Sequence, residues 1–431
     1  MRSSMRFCGR LIPVFFILTA TASAEPVSFR RAIESALKHS GTMAIAFADQ
    51  TKTRQTYLAA KNNYIPSVNF GSGIGYSVGI PLAVIGSAPS VFNITTQQSV
   101  FDPYLRANIN AAKMDWKASD LDMLDKKNAV IMETALVYSS LDNLVAKLKI
   151  LREAQTAAKR AEFISSERLK EGIDSELDLK KAKLASARIQ LRLIEAESQS
   201  DVLRDQLSKL IGIPAASIET VTESVPSTPD IPQDPDLPSQ AADNSPSVRL
   251  AFEKAKVADL KAQAEHKMLL PAFDFGSQYA YLSTFNNYDQ IYKTYTKNNF
   301  TFGLNIRFPF INFAQRATAQ AADAEALKAK KTAENVKNQA ETEALKQQRA
   351  LRQLAAARDV AKLEWEVSQA GIDATHAKVE SGQASARDEE IARLDANDRY
   401  AVYLDSSLDL LKAEIQMLRT TGRIQEWALG K

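Results

Sequence analysis

A long internal repeat constrains this chain more than any other feature. Two period-2 apolar segments, a very long helical stretch, a charged tip containing glycine and a second helix occur in that order, twice. Val100-Phe101-Asp102 and Phe310-Ile311-Asn312 stand 210 residues apart, and so do Gly172 and Gly382. No net insertion separates those landmarks, so helix length is itself a functional dimension, as it is in a strut or a tube wall.

Residues 1–24 are expected to be a removed secretory signal peptide. Arg2, Arg6 and Arg10 form its positive region, Leu11 to Thr19 its short apolar core, and Ala22-Ser23-Ala24 its cleavage site. The apolar core is far below the roughly 20 residues that a bilayer-spanning helix needs. Cleavage removes three arginines and no acid, which takes the formal charge of +3 to about zero and leaves no basic signal for nucleic acid. Cys8, the only cysteine, leaves with this segment and is poorly placed for acylation. No later stretch reads as a transmembrane helix, so contact with a membrane must come from protein surface.

The strands have two unlike faces. Val68, Phe70, Ile74, Tyr76, Val78 and Ile80 alternate with Asn69, Gly71, Gly73, Gly75, Ser77 and Gly79; Phe92, Ile94 and Val100 alternate with Asn93, Thr95, Gln97 and Ser99. In the second copy Phe273, Phe275, Tyr279 and Tyr281 oppose Asp274, Gly276, Gln278 and Ala280. The run from Phe300 through Phe302, Leu304, Ile306, Phe308 and Phe310 opposes Thr301, Gly303, Asn305 and Arg307. Segments of about ten residues, aromatic outside and polar inside, are the mark of a lipid-facing barrel wall. The strands are placed at about 67–81, 90–101, 272–284 and 300–310. Four strands cannot close a useful cylinder, and an open edge in lipid leaves backbone groups unpaired. The barrel is therefore expected to be shared within a cyclic homo-oligomer.

From about Leu105 to Leu169, and again from about Arg316 to Val379, proline is absent and apolar or alanine positions recur at three- and four-residue steps. Such a helix is about 95 Å long. Shorter helices are expected over Arg30 to Asn63, Ser175 to Ile211, Ser247 to Lys267 and Ala386 to Thr421, stacked end to end beside the long ones. This divides the chain into a first repeat, 25–213, a proline-rich segment, 214–246, and a second repeat, 247–431. The middle segment is either a band around the helical body or a disordered linker, since its prolines cannot continue a helix.

These residues resemble the TolC-like outer-membrane efflux protein family. A helix enters a strand through proline at Tyr64-Ile65-Pro66-Ser67-Val68 and at Leu269-Leu270-Pro271-Ala272-Phe273. A strand enters a helix at Ser99-Val100-Phe101-Asp102 and at Pro309-Phe310-Ile311-Asn312, with Arg106 and Arg316 following at equal distance. A tip pattern appears as Arg168, Gly172, Ser175 and Asp178, and again as Lys378, Gly382, Ser385 and Asp388.

The resemblance implies a mixed α/β membrane protein. It would be a homotrimer with a twelve-stranded outer-membrane barrel, four strands per chain, continued by a periplasmic α-helical coiled-coil barrel. It further implies partners: a periplasmic adaptor and an inner-membrane efflux pump or ABC-type secretion transporter, with outer-membrane lipid around the barrel and no nucleic acid. The tips, near 168–176 and 379–386, would dock the adaptor through Arg168, Gly172, Ser175, Asp178, Lys378, Gly382 and Ser385. Relatives carry a carboxylate ring at the periplasmic aperture. Asp388 matches its first position, with Glu389 beside it, but Ile391 stands where the second acid would be. If Asp388 faces the axis, like charges would raise one another's pKa there.

No catalytic constellation is present. His39, His266 and His376 stand apart with no cysteine or close histidine partner for zinc, and no cofactor is expected. Trp116 and Trp365 read as packing or interfacial residues. The alternative to a duct is a periplasmic coiled-coil scaffold or adaptor-like interaction protein; the cargo is not legible.

Overall fold

The computed structural model describes residues 25–72, 90–229, 234–282 and 298–430. The expected signal peptide with Cys8, positions 73–81 of the first strand and 283–284 of the third lie outside the described residues.

Two helices of equal length are the frame: α3, Pro103–Lys170, and α7, Phe313–Glu380, are each 68 residues and therefore about 100 Å long. Each starts on a side-chain cap. Asp102 accepts a hydrogen bond from the Leu105 amide at 2.9 Å, and Asn312 accepts one from Gln315 at 2.9 Å. One stretch of α3 is apolar enough to cross a membrane by length and composition, contrary to the sequence expectation, yet 44% of it is buried inside the protein, as befits a core helix.

The expected single helix before the first strands is two, α1 (Phe29–His39) and α2 (Gly41–Asn62), broken at Ser40, whose backbone is extended. The break lets α1 turn Phe29, Ala32, Ile33 and Ala36 into the core while α2 continues along α3. The second repeat does the same at Ser245, between α5 (Leu237–Asn244) and α6 (Pro246–Lys267). Ser40 and Ser245 lie 205 residues apart, as do Pro66 and Pro271, so the 210-residue spacing begins only after the strands, where the second hairpin is five residues longer.

The strands β2 (Ser67–Gly71), β3 (Ser90–Phe101), β5 (Ala272–Leu282) and β6 (Asn298–Arg307) form one antiparallel sheet in the order β2-β3-β5-β6. The β6 strand ends at Arg307 rather than near 310 because Pro309 has no N–H to continue a ladder; the Phe310 amide donates instead to the Phe308 carbonyl at 2.9 Å. An irregularity between Ser99 and Phe101 places Phe101, not Val100, opposite Phe273.

The helices repeat this open arc. Nearest the sheet, α2, α3, α6 and α7 pack in that order; towards the tips, α4 (Glu176–Ile211) packs on α3, and α8 (Ala386–Thr420) lies between α3 and α7. Both short helices of each repeat thus lie along its long one.

Between these halves sits the main core. Phe29, Ile33, Ile131, Tyr138, Leu207, Ile211, Ile415, Leu418 and Trp427 close around a small parallel pair, β1 (Glu25–Val27) with β4 (Ile218–Thr220). Tyr138 is its hub. Its hydroxyl donates to the Val27 carbonyl at 2.8 Å, receives the Val221 amide at 2.9 Å and meets Ser224 Oγ at 3.0 Å. Burial pushes this phenol's pKa up. The described part of 214–246 is held against the helices by side-chain hydrogen bonds. Trp427 Nε1 donates to the Pro226 carbonyl, Thr228 donates to Glu414, and Gln348 donates to the Asp234 carbonyl. The terminal helix α9 (Ile424–Leu429) closes the same core.

Candidate functional site: the two-faced sheet and the helical tips

The register puts most of the large apolar strand side chains on one face. Phe70 pairs with Ile94 and Ile94 with Tyr279; Phe92 pairs with Tyr281, Phe275 with Leu304, and Phe273 with Ile306. Neighbouring rings meet across strands, Phe92 to Tyr281 at 5.8 Å and Phe101 to Phe273 at 5.9 Å. Among the described residues nothing covers this face: Phe70 is 71% exposed and Phe302 69%. The opposite face carries Asn69, Asn93, Thr95, Gln97, Gln278, Thr301, Gly303 and Asn305. A sheet apolar on one side and polar on the other, with the apolar side bare, suits hydrocarbon outside and water inside.

Among the described residues of this four-stranded sheet only Asp274 and Arg307 are charged, and both lie on the polar face where strands become helices. Arg307 reaches Asp274 Oδ2 at 3.5 Å and Asp102 Oδ2 at 3.5 Å. Asp102 comes from the other repeat, where it also caps α3, and its carbonyl accepts the Tyr64 hydroxyl at 3.0 Å. Alternation had placed Asp274 and Arg307 on the polar side, but no local signal could join Arg307 to Asp102 across 205 residues.

At the far end the two tips have one geometry. Gly172 (φ 75°) and Gly382 (φ 72°) take left-handed conformations that glycine reaches without a Cβ penalty. The carbonyls of Arg168 and Lys378 accept amides from residues 173 and 383, each at 2.8 Å. Ser175 with Asp178, and Ser385 with Asp388, form reciprocal capping boxes that start α4 and α8.

The carboxylates at the tips are committed locally. Asp388 Oδ2 accepts from the Ser385 amide and hydroxyl, both at 2.8 Å, and these bonds hold its pKa below the usual aspartate range. Asp178 is lowered too, first by the Ser175 hydroxyl. Glu389 is lowered chiefly by His376, whose Nδ1 lies 3.3 Å away, with Arg393 at 2.7 Å on its other side. Crowding of like charges around Asp388 has no counterpart within one chain. Arg387 bridges the tips by approaching Asp178 at 3.7 Å. Exposed apolar side chains remain at Ile173, Leu177 and Ile391.

Higher up, Arg192 pairs with Asp398 at 2.8 Å, Lys147 with Asp405, and Asn143 donates to the Leu404 carbonyl at 2.7 Å, so α8 is held against both α3 and α4. Trp116 stacks on Tyr57 at 5.7 Å and Trp365 on Tyr403 at 5.6 Å, each between packed helices. His266 faces Asp323, and no group of three metal-ligating side chains exists among the described residues.

Comparison with known proteins agrees with this geometry. A family model for outer membrane efflux proteins matches residues 32–213. No curated protein sequence matches the chain. Among solved structures, CusC superposes with a TM-score of 0.75 at 15% identity, covering 97% of this chain and 98% of its own. The outer membrane protein VceC from Vibrio cholerae gives 0.72 at 15% identity, covering 91% of this chain and 96% of its own. The CmeC outer membrane channel from Campylobacter jejuni gives 0.74 at 14% identity, covering 98% of this chain and 94% of its own. Identities this low establish the shared fold. Proteins of the matched family are channels, not enzymes. The first repeat thus matches the outer membrane efflux protein family model, and the whole chain shares its fold with these outer-membrane proteins.

Proposed function

We propose that this chain is one third of an exit duct. Three copies close a twelve-stranded barrel in the outer membrane and a helical barrel beneath it, and together they conduct substrate passively from a periplasmic adaptor and an inner-membrane transporter to the exterior. The duct serves a tripartite efflux or type I secretion system. The observation that supports this best is the four-stranded sheet with a bare apolar face, whose edge strands β2 and β6 have no partner on their outer sides among the described residues. In lipid each unpaired backbone group costs several kcal/mol. The same open arc continues into the helices, with α7 at one edge throughout, so a single rotation that joins β2 to the next chain's β6 also joins the helical edges.

In this reading the repeats 25–213 and 247–431 each supply one hairpin and one strut pair, and 214–246 girdles the middle. The tips present Arg168, Gly172, Ser175, Asp178, Lys378, Gly382 and Ser385 to the adaptor, with Ile173 and Leu177 as apolar contacts. Asp388, Glu389 and Ile391 surround the periplasmic aperture, with Oδ2 of Asp388 engaged in capping.

Cysteine cross-linking tests the assembly. Asn69→Cys on β2, combined in turn with Thr301→Cys, Gly303→Cys and Asn305→Cys on β6, should give a covalent trimer in outer-membrane fractions at one register. A freely soluble monomer overturns the proposal. Asp388→Ala tests the aperture, since unchanged bilayer conductance and cation sensitivity would remove Asp388 from it.

A further inference from the structure

We propose that the cluster of Arg307, Asp274 and Asp102 sets the charge preference of the duct's membrane segment; this rests on the channel reading above. The polar face of the described sheet is otherwise built from Ser, Thr, Asn, Gln, Ala and Gly, none of which carries charge. Any fixed field inside that part of the barrel therefore starts at these three side chains.

Their arrangement gives the field a sign. Two carboxylates and one guanidinium leave a net charge of −1 per chain. The helix termini meeting at this level are the amino ends of α3 and α7 and the carboxyl ends of α2 and α6, so their partial charges nearly cancel. Asp102 is 14% exposed, Asp274 31% and Arg307 61%, so the guanidinium stands on the water side and screens the acids from a passing ion. The equivalent cap in the second repeat is the neutral Asn312, so each chain carries one such cluster rather than two.

At about 0.01 M salt the screening length is about 30 Å, long enough for the cluster to act on ions across a lumen of molecular width. In that regime potential scales with fixed charge, and the permeability ratio follows its exponential.

Reversal potentials of the purified protein in planar bilayers under a dilute KCl gradient provide the test. The wild type should favour K⁺ over Cl⁻. Arg307→Ala doubles the cluster's net charge to −2 and should raise the ratio above the wild type's; Asp274→Asn, nearly isosteric, should lower it; Arg307→Lys should match the wild type. Conduction with the same ratio in Arg307→Ala and Asp274→Asn, or with both shifted in one direction, overturns this inference while leaving the channel reading intact. A wild-type protein that conducts nothing overturns both.

Discussion

Arginine placed on adjacent residues of β6 should separate the two faces of the sheet. Phe302 lies mid-strand, opposite Ser277, and is 69% exposed on the apolar face; Thr301 lies opposite Gln278 on the polar face. If Phe302 faces hydrocarbon, Phe302→Arg places a charge near the depth where such substitutions cost about 2–4 kcal/mol in a barrel. It also forfeits about 2 kcal/mol of aromatic transfer into lipid. The substitution recurs in every chain, so the proposed trimer would lose on the order of 10 kcal/mol or more, comparable with the whole stability of a domain. Thr301→Arg puts the same charge into water and should cost little. The assay is the yield of folded, protease-resistant oligomer in outer-membrane fractions, with Phe302→Leu as the control for lost aromatic contacts. Phe302→Arg should abolish that yield; Thr301→Arg and Phe302→Leu should keep most of it. Equal yields from the two arginine variants, or the reverse order, refute the facial assignment.

Tyr138→Phe keeps the ring against Phe29 but strands the Val27 carbonyl and the Val221 amide, each at roughly 1–3 kcal/mol, so the melting temperature of the detergent-solubilised protein should fall clearly. Alanine should act in opposite senses at two glycines of the same region. Gly382→Ala forces a left-handed alanine at about 1–2 kcal/mol and should speed amide exchange around the second tip, whereas Gly371→Ala, inside α7 with open space about it, should slow exchange there. The capping carboxylates Asp178 and Asp388 have folded pKa values below their unfolded ones. Their contribution is complete above the unfolded value and is lost as pH falls through the folded one, so the protection of the tip amides relative to the unfolded chain should stay constant down to the ordinary aspartate range and fall only in stronger acid. Asp178→Asn and Asp388→Asn should remove that acid step.

The tips were almost wholly legible in advance because their chemistry is local: a glycine for the left-handed turn, then serine and aspartate three residues apart for the cap. The faces of the strands were legible for the same reason, since alternation is a property of the backbone. The break at Ser40, inside an apolar pattern that reads as one helix, is decided by the core waiting beneath Phe29 and Ile33. The offset that makes Phe101 the partner of Phe273 depends on a neighbouring strand from the other repeat.

Periodicity and capping chemistry thus decided which residues are strand and which helix, which strand face is apolar, and how long the struts are, because each follows from interactions within a few residues. Packing between distant segments decided the rest. It joined the hairpins of the two repeats in the order β2-β3-β5-β6, held 214–229 and 234–246 against the helices, gathered Tyr138, Val27 and Val221 into one hub, and brought Asp102 to Arg307. Those contacts select partners hundreds of positions apart by shape, burial and charge, and no local period records such a choice.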